Sequence, residues 1–247
     1  MFSLKGPSYA PGDVLEVAGH PVRLRVDGRA RRVSLRVDAA SREVVATAPT
    51  PRRLKDAAQF AADRAGWIAK ALDKLPDARA LTPGAAIELL DKPVRLERAA
   101  SRRTQGLVED ETGARLLAYG ADDFLFARAA ARLLKADALR FFTERTAVHA
   151  AALGQAMPKV AVTDTRGRWG SCTPARGSQS GSIRYSWRLV LAPWAVADYV
   201  AAHECAHLVQ ADHSPKFWAV VDTLADDVKR PRAWLRAHGP SLHAVGK

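Results

Sequence analysis

The residues whose types and spacing carry chemistry are His203, Glu204, His207 and His213. His203-Glu204-Cys205-Ala206-His207 is an H-E-x-x-H pattern. On a helix, residues four apart lie one turn apart on one face, so both imidazoles can reach one ion. A catalytic zinc takes three protein ligands and keeps a fourth position for water. His213 is the expected third ligand, with Asp222, Asp226 and Asp227 as acidic alternatives. The expected cofactor is one Zn2+ per chain, and the expected chemistry is hydrolysis. The metal activates a bound water, and Glu204 takes its proton and passes it to the leaving group. A developing oxyanion needs a further donor, for which Arg168, Tyr185 and Tyr199 are the candidates.

These residues require a scaffold. A helix starting at Pro193 and running to about Ala211 carries the motif. Its only charged residues from Pro193 to Val209 are Asp198 and Glu204, so it should be buried on most sides. An ionised carboxylate in such a helix needs a partner, which a dication provides. Ser214-Pro215 has the N-cap chemistry of a further helix to about Asp227, and 231–238 reads as a short last one. Upstream, a helix is expected over 122–153, then a strand at 159–163, a Gly-, Ser- and Arg-rich loop, and a strand at 183–187.

The first half reads as β-rich. Strands are expected at 14–17, 22–26, 33–37 and 44–48, followed by one helix over about 52–74. Further strands are expected at 87–90, 94–97, 106–108 and 114–118, with turns at 18–21, 38–42, 91–92 and 111–113. No internal repeat or low-complexity tract is evident in the sequence.

Composition narrows the class. The chain has 247 residues, 48% of them hydrophobic and 26% charged, which suits a folded domain with a buried core. Two cysteines, Cys172 and Cys205, cannot form a disulfide framework, and no segment has the length of a membrane span, so a cytoplasmic protein is expected. The net charge of +12 comes from 28 Arg and 10 Lys and is shared evenly between the halves. One stretch, 165–197, holds Arg166, Arg168, Arg176, Arg184 and Arg188 without an acid, interleaved with Trp169, Tyr185, Trp187 and Trp194. It suits contact with nucleic acid, a nucleotide or an acidic peptide. Cys172 and Cys205 read as packed residues. Trp67, Trp218 and Trp234 read as core. His20 and His149 have no metal partners at useful spacing, and a second metal site at His238 and His243 is not expected.

The chain also resembles a known family. Arg168-Trp169-Gly170-Ser171-Cys172, Trp187-Arg188-Leu189, the run from His203 to Leu208 and His213-Ser214-Pro215-Lys216-Phe217-Trp218 are similar to the YgjP-like metallopeptidases. In the first half the likeness lies in the Arg31 to Val37 run, the Ala48-Pro49 step and Gly66-Trp67-Ile68. Cys205 departs from the aliphatic residue more usual there. The metzincins share the histidine spacing, but Gln210 replaces their turn glycine and no methionine follows the motif.

The resemblance implies an α+β fold in two regions. Residues 13–120 form a β-rich part with one helix, and residues 121–247 form a zincin-like helical catalytic part with a small sheet. It implies a zinc metallopeptidase related to SprT-type proteases, acting on a peptide or protein, with His203, His207 and His213 as ligands and Glu204 as base. Arg168, Trp169, Ser171 and Tyr185 would meet the substrate. The family also carries a competing assignment as a nucleotide (UTP) pyrophosphatase. A nucleic-acid-binding protein with a structural metal is the third reading.

Overall fold

The computed structural model describes residues 8–38, 42–165 and 167–246, so Arg166 and the centre of the turn expected at 38–42 lie outside the described residues. The chain divides into two compact units, Met1–Asp77 and Ala78–Lys247. The sequence places the boundary at 120/121 instead. The second group of strands joins the same core as the long helix after it, which is why it belongs with the later unit.

In the first unit, β1 (Val14–Val17), β2 (His20–Val26), β3 (Ser34–Asp38) and β4 (Glu43–Ala48) form one sheet in the order β1-β2-β4-β3. β1 and β2 are an antiparallel hairpin turning through Ala18 and Gly19, both at positive φ (50° and 79°). That turn geometry matches the twist of the flanking strands. β2 pairs in parallel with β4, and β3 lies antiparallel along the outer side of β4. α1 (Leu54–Asp63) and α2 (Ala65–Asp73) follow. The single helix expected here breaks at Arg64 (φ −109°, ψ 19°), two residues before Gly66, a poor helix former in the first turn of α2. Val22, Leu24, Val44, Ala46, Leu54, Ala57, Ala61 and Ile68 make the core. Trp67 is not in it. Ile68 and Leu72 take the inward stripe of α2 and leave Trp67 46% exposed.

The second unit begins with β5 (Ala86–Leu89), β6 (Lys92–Arg98), β7 (Gly106–Asp110) and β8 (Gly113–Ala118), in the order β5-β6-β8-β7. This is the topology of the first sheet. The registers agree: Val22 faces Val44 and Val26 faces Ala48 in one, while Val94 faces Ala114 and Arg98 faces Ala118 in the other. Gly12 and Gly84, at φ 98° and 83°, each lead in and donate a backbone hydrogen bond, to Leu24 O at 2.8 Å and to Leu96 O at 2.7 Å. The molecule therefore contains a structural repeat that the sequence reading misses.

α3 (Asp123–Ala152) covers the second sheet. Its N-cap Asp122 accepts from Leu125 N at 2.7 Å, and its 30 residues span about 45 Å at 1.5 Å each. Phe126, Ala130, Leu134, Phe141 and Phe142 form its buried stripe. A third sheet combines β9 (Lys159–Thr163), β10 (Gly170–Thr173) and β11 (Ser182–Ser186) in the order β10-β11-β9. β10 lies inside the stretch read from sequence as loop. It pairs antiparallel with β11, and β11 pairs in parallel with β9.

A 3₁₀ segment, Trp187–Leu191, leads into α4 (Trp194–Ala206), α5 (Pro215–Asp222) and α6 (Lys229–His243). α6 runs on through Pro240 to His243, beyond the end expected at 238. Buried Leu242 and His243 hold its last turn, and Ala244 N reaches Pro240 O at 3.1 Å. The architecture is α+β, and no helix among the described residues is long and apolar enough to cross a membrane.

Candidate metal centre

The site is built on α4, and α4 is fixed from three directions. Its N-terminus is capped by Asp91, whose Oδ2 accepts from Trp194 N at 2.8 Å. Asp91 sits in the β5–β6 turn, and Leu90 N bonds Val190 O at 2.8 Å, so the second sheet grips the entry to the helix. Behind α4 stands α3. There Arg145 Nε donates to Asp198 Oδ1 at 2.6 Å, and His149 Nε2 lies 2.8 Å from the same oxygen. Burial raises the Asp198 carboxyl, but these hydrogen bonds and charges outweigh it and hold the group below its ordinary value. The third contact is β10, beside the last turns. Val196, Ala197, Val200, Ala201, Ala202, Cys205 and Ala206 are all buried, as a helix with apolar residues on every face requires.

The helix ends earlier than the sequence suggests, and this brings His213 into place. Leu208 N bonds Cys205 O at 2.9 Å, tightening the last turn, and Gln210 N bonds Ala206 O at 2.9 Å. The Asp212 Oδ1 then accepts from Gln210 Nε2 (2.8 Å) and Ser214 N (3.2 Å), folding the chain back. Ser214 occupies the expected N-cap of α5 without a capping side-chain hydrogen bond.

The result is a cluster of three imidazoles whose ligand atoms lie within 4.8 Å of one another. His203 Nε2 and His213 Nε2 are 3.2 Å apart. Two nitrogens sharing one tetrahedral zinc, at about 2.0–2.1 Å each, would stand about 3.3 Å apart. His207 Nδ1 lies 3.0 Å from Gln210 O, a bond that sets Nδ1 as donor and leaves Nε2 free to coordinate. Phe217, fully buried on α5, seats all three rings at centroid distances of 4.9, 4.4 and 4.8 Å. Burial, then the charges of His207, His213 and Arg232, push His203 down to about 4, and burial also lowers His207. Neutral imidazoles are the form that binds metal. The donor set and its spacing fit a metal ion.

Glu204 is 6% exposed, and burial pushes its carboxyl up to about 7 against the opposing charge of Arg168. It packs on Gly170 of β10. A Cβ at that position would stand 2.6 Å from Glu204 Cδ, so only glycine leaves the carboxyl its space.

The other expected site residues separate. Arg168 is exposed and close enough for its charge to act on Glu204. Trp169 is half-buried and stacks on His243 at 4.3 Å, packing against α6. Ser171 follows Gly170 on β10, and strand alternation puts its side chain on the opposite face of the sheet. Tyr185 is fully buried, with its hydroxyl 2.8 Å from Thr146 Oγ1 and its ring stacked on Phe142 at 4.2 Å. Its phenol faces the core, which corrects the expectation of substrate contact. Tyr199 is also buried, 6.0 Å from the His203 ring.

The basic stretch 165–197 does not form one surface. Trp187 is in the core, and Arg188 is buried with Asp164 and Val245 O as partners. Arg176, Arg184 and, at 43% exposure, Trp194 remain outside. Asp222, Asp226 and Asp227 are not among the clustered ligands. Burial pushes Cys172 and Cys205 up to about 12, so both are thiols at neutral pH.

Sequence reasoning missed two neighbours. One is Gly170, whose role shows only once β10 lies on Glu204. The other is Arg232 on α6, whose guanidinium lies 4.6 Å over the Trp218 ring and whose charge reaches His203 and Tyr199. No motif marks Arg232.

No curated protein and no solved structure matches the chain. A family model does: the YgjP-like, metallopeptidase domain matches residues 31–238. That span covers both the histidine cluster and the first sheet from just before β3 onward, and the chain therefore belongs to the YgjP-like metallopeptidase family.

Proposed function

We propose that the chain is a zinc-dependent peptidase, with His203, His207 and His213 as ligands and Glu204 as general base. The observation that carries this reading is the convergence of three imidazoles beside one buried carboxyl. An all-nitrogen set suits zinc better than magnesium, which prefers oxygen ligands. Bound there, zinc supplies Lewis acidity, acidifying water and polarising a carbonyl. Glu204 takes the proton of the attacking water and returns it to the departing amine nitrogen. Burial raises the proton affinity of the Glu204 carboxyl, the direction that taking up a proton needs. Arg168 and Arg232 add positive charge where an oxyanion develops.

The third sheet supports a peptide as substrate. Among the described residues β10 pairs with β11 alone and lies at the sheet edge, and the free backbone of an edge strand can pair with an extended peptide. Gly170 on that strand touches Glu204, so a peptide paired there would pass beside the base.

Glu204→Gln should retain the metal and lose turnover by about 10²–10⁴-fold, the usual contribution of a general base. His207→Ala should lose the metal as well. Normal turnover by Glu204→Gln would refute the base role. Pyrophosphate release from nucleoside triphosphates by wild type, abolished in Glu204→Gln, would replace the peptidase by a nucleotide hydrolase.

A further inference from the structure

A cavity of 820 Å³ in the second unit shares no residue with the histidine site. Arg128, Arg132 and Lys135 of α3 line one side, and Arg102, from the connection between β6 and β7, lines another. Positions 128, 132 and 135 follow the i, i+4, i+7 spacing of one helix face, so three cations stand along about 10 Å of helix axis. Among the described residues no carboxylate lines the cavity. Among the described residues none of the four cations has a carboxylate partner, whereas Arg98, Arg115, Arg140, Arg145 and Arg188 of the same unit are all paired.

Like charges at this spacing repel one another. Arg128 lies 5.6 Å over the Phe124 ring and Lys135 5.9 Å over the Trp187 ring, and no carboxylate among the described residues pairs with either. The Arg132 guanidinium is also held in place, its Nη2 donating to Gln105 Oε1 at 2.7 Å. Tyr119, 40% exposed, adds an aromatic face to the lining.

We propose that this cavity binds a compact polyphosphate, an anion carrying several charges on neighbouring phosphoryl groups. Arginine forks bind phosphoryl oxygens in pairs, and lysine adds a point charge. The volume is that of a small-molecule pocket. The cations converge on one space from two elements, which suits a compact anion better than a strand following a track. The site is independent of the histidine cluster and of what that cluster hydrolyses.

Calorimetric titration of inorganic tripolyphosphate into the full chain at about 0.15 M salt tests this directly. One site per chain is expected. Arg128→Gln with Arg132→Gln should weaken it about tenfold or more. Lys135→Gln provides a second reading should the double variant fail to fold. His207→Ala should bind as wild type does, which separates this site from chelation at the histidines. A nucleoside triphosphate distinguishes the sources of the anion. Tighter binding that Tyr119→Ala reduces to the tripolyphosphate level identifies a nucleotide, and equal binding identifies the phosphate chain alone. The proposal is overturned if wild type does not bind, or if binding survives the cavity variants. It is also overturned if a single-stranded oligonucleotide binds through these residues while tripolyphosphate does not.

Discussion

The two four-stranded sheets share strand order, register and lead-in glycine, and the second of them is tied to the helix that carries the histidine site. Both have the frame Gly-x3-Glu-x4-Pro-Val-Arg-Leu, at 12–24 and 84–96. Their first turns differ. In the first unit the turn is Ala18-Gly19, with no side chain long enough to reach another element. In the second it is Leu90-Asp91, at φ 49° and 69°. A leucine and an aspartate in the left-handed region are strained relative to glycine. Here the aspartate caps α4 and the backbone of Leu90 bonds Val190 O. The helices differ as well. α1 covers its sheet with leucine and alanines, whereas α3 covers its sheet and also holds α4 through Asp198. One architecture thus recurs in both units, and in the second it also serves as a mount for α4.

Equivalent core deletions should separate these roles most sharply. Leu24→Ala and Leu96→Ala each remove a fully buried side chain and should each cost about 2–5 kcal/mol. Only Leu96→Ala should also weaken metal binding, as read by competition with a chromogenic chelator. Equal loss of affinity in both would break the distinction.

Asp198→Asn should cost about 2 kcal/mol by leaving Arg145 and His149 without their carboxylate. Because the folded pKa of Asp198 is depressed, its contribution is fully present above about pH 4, the unfolded value, and disappears as pH falls through the folded value. Acid melts of wild type and Asp198→Asn should therefore converge at low pH. A constant gap between them would show that the cost is packing alone.

Asp91→Ala should have the smallest effect, about 1 kcal/mol for a lost helix cap, with a modest fall in metal affinity. Ala18→Asp in the first unit should leave the metal site unchanged. An affinity loss there and none at Asp91 would reverse the account.

Much of the site was legible in the sequence because its spacing is local. The four-residue interval between His203 and His207 needs only a helix, and His213 needs only a turn. The strands of both sheets were also legible, since alternation is a local signal. What escaped depends on contacts between distant segments. β10 is short and rich in small residues, and becomes a strand only by pairing with β11. Tyr185 reads as a polar candidate until Thr146, far away on α3, takes its hydroxyl. The repeat stayed hidden because the shared frame is brief and β4 (Glu43–Ala48) and β8 (Gly113–Ala118) agree at few positions. The connections before them also differ, 39–42 against 111–112. Arg232 belongs to the same class: its place near His203 comes from how α6 packs, and nothing in its neighbours announces it.

The central claim is that three histidines hold one catalytic ion. X-ray absorption at the zinc edge, on the zinc-loaded full chain and on His213→Ala, tests it most directly. The account predicts one zinc per chain with three imidazole nitrogens at about 2.0–2.1 Å, falling to two in the variant. Absence of stoichiometric zinc, or an unchanged ligand shell in His213→Ala, would contradict it.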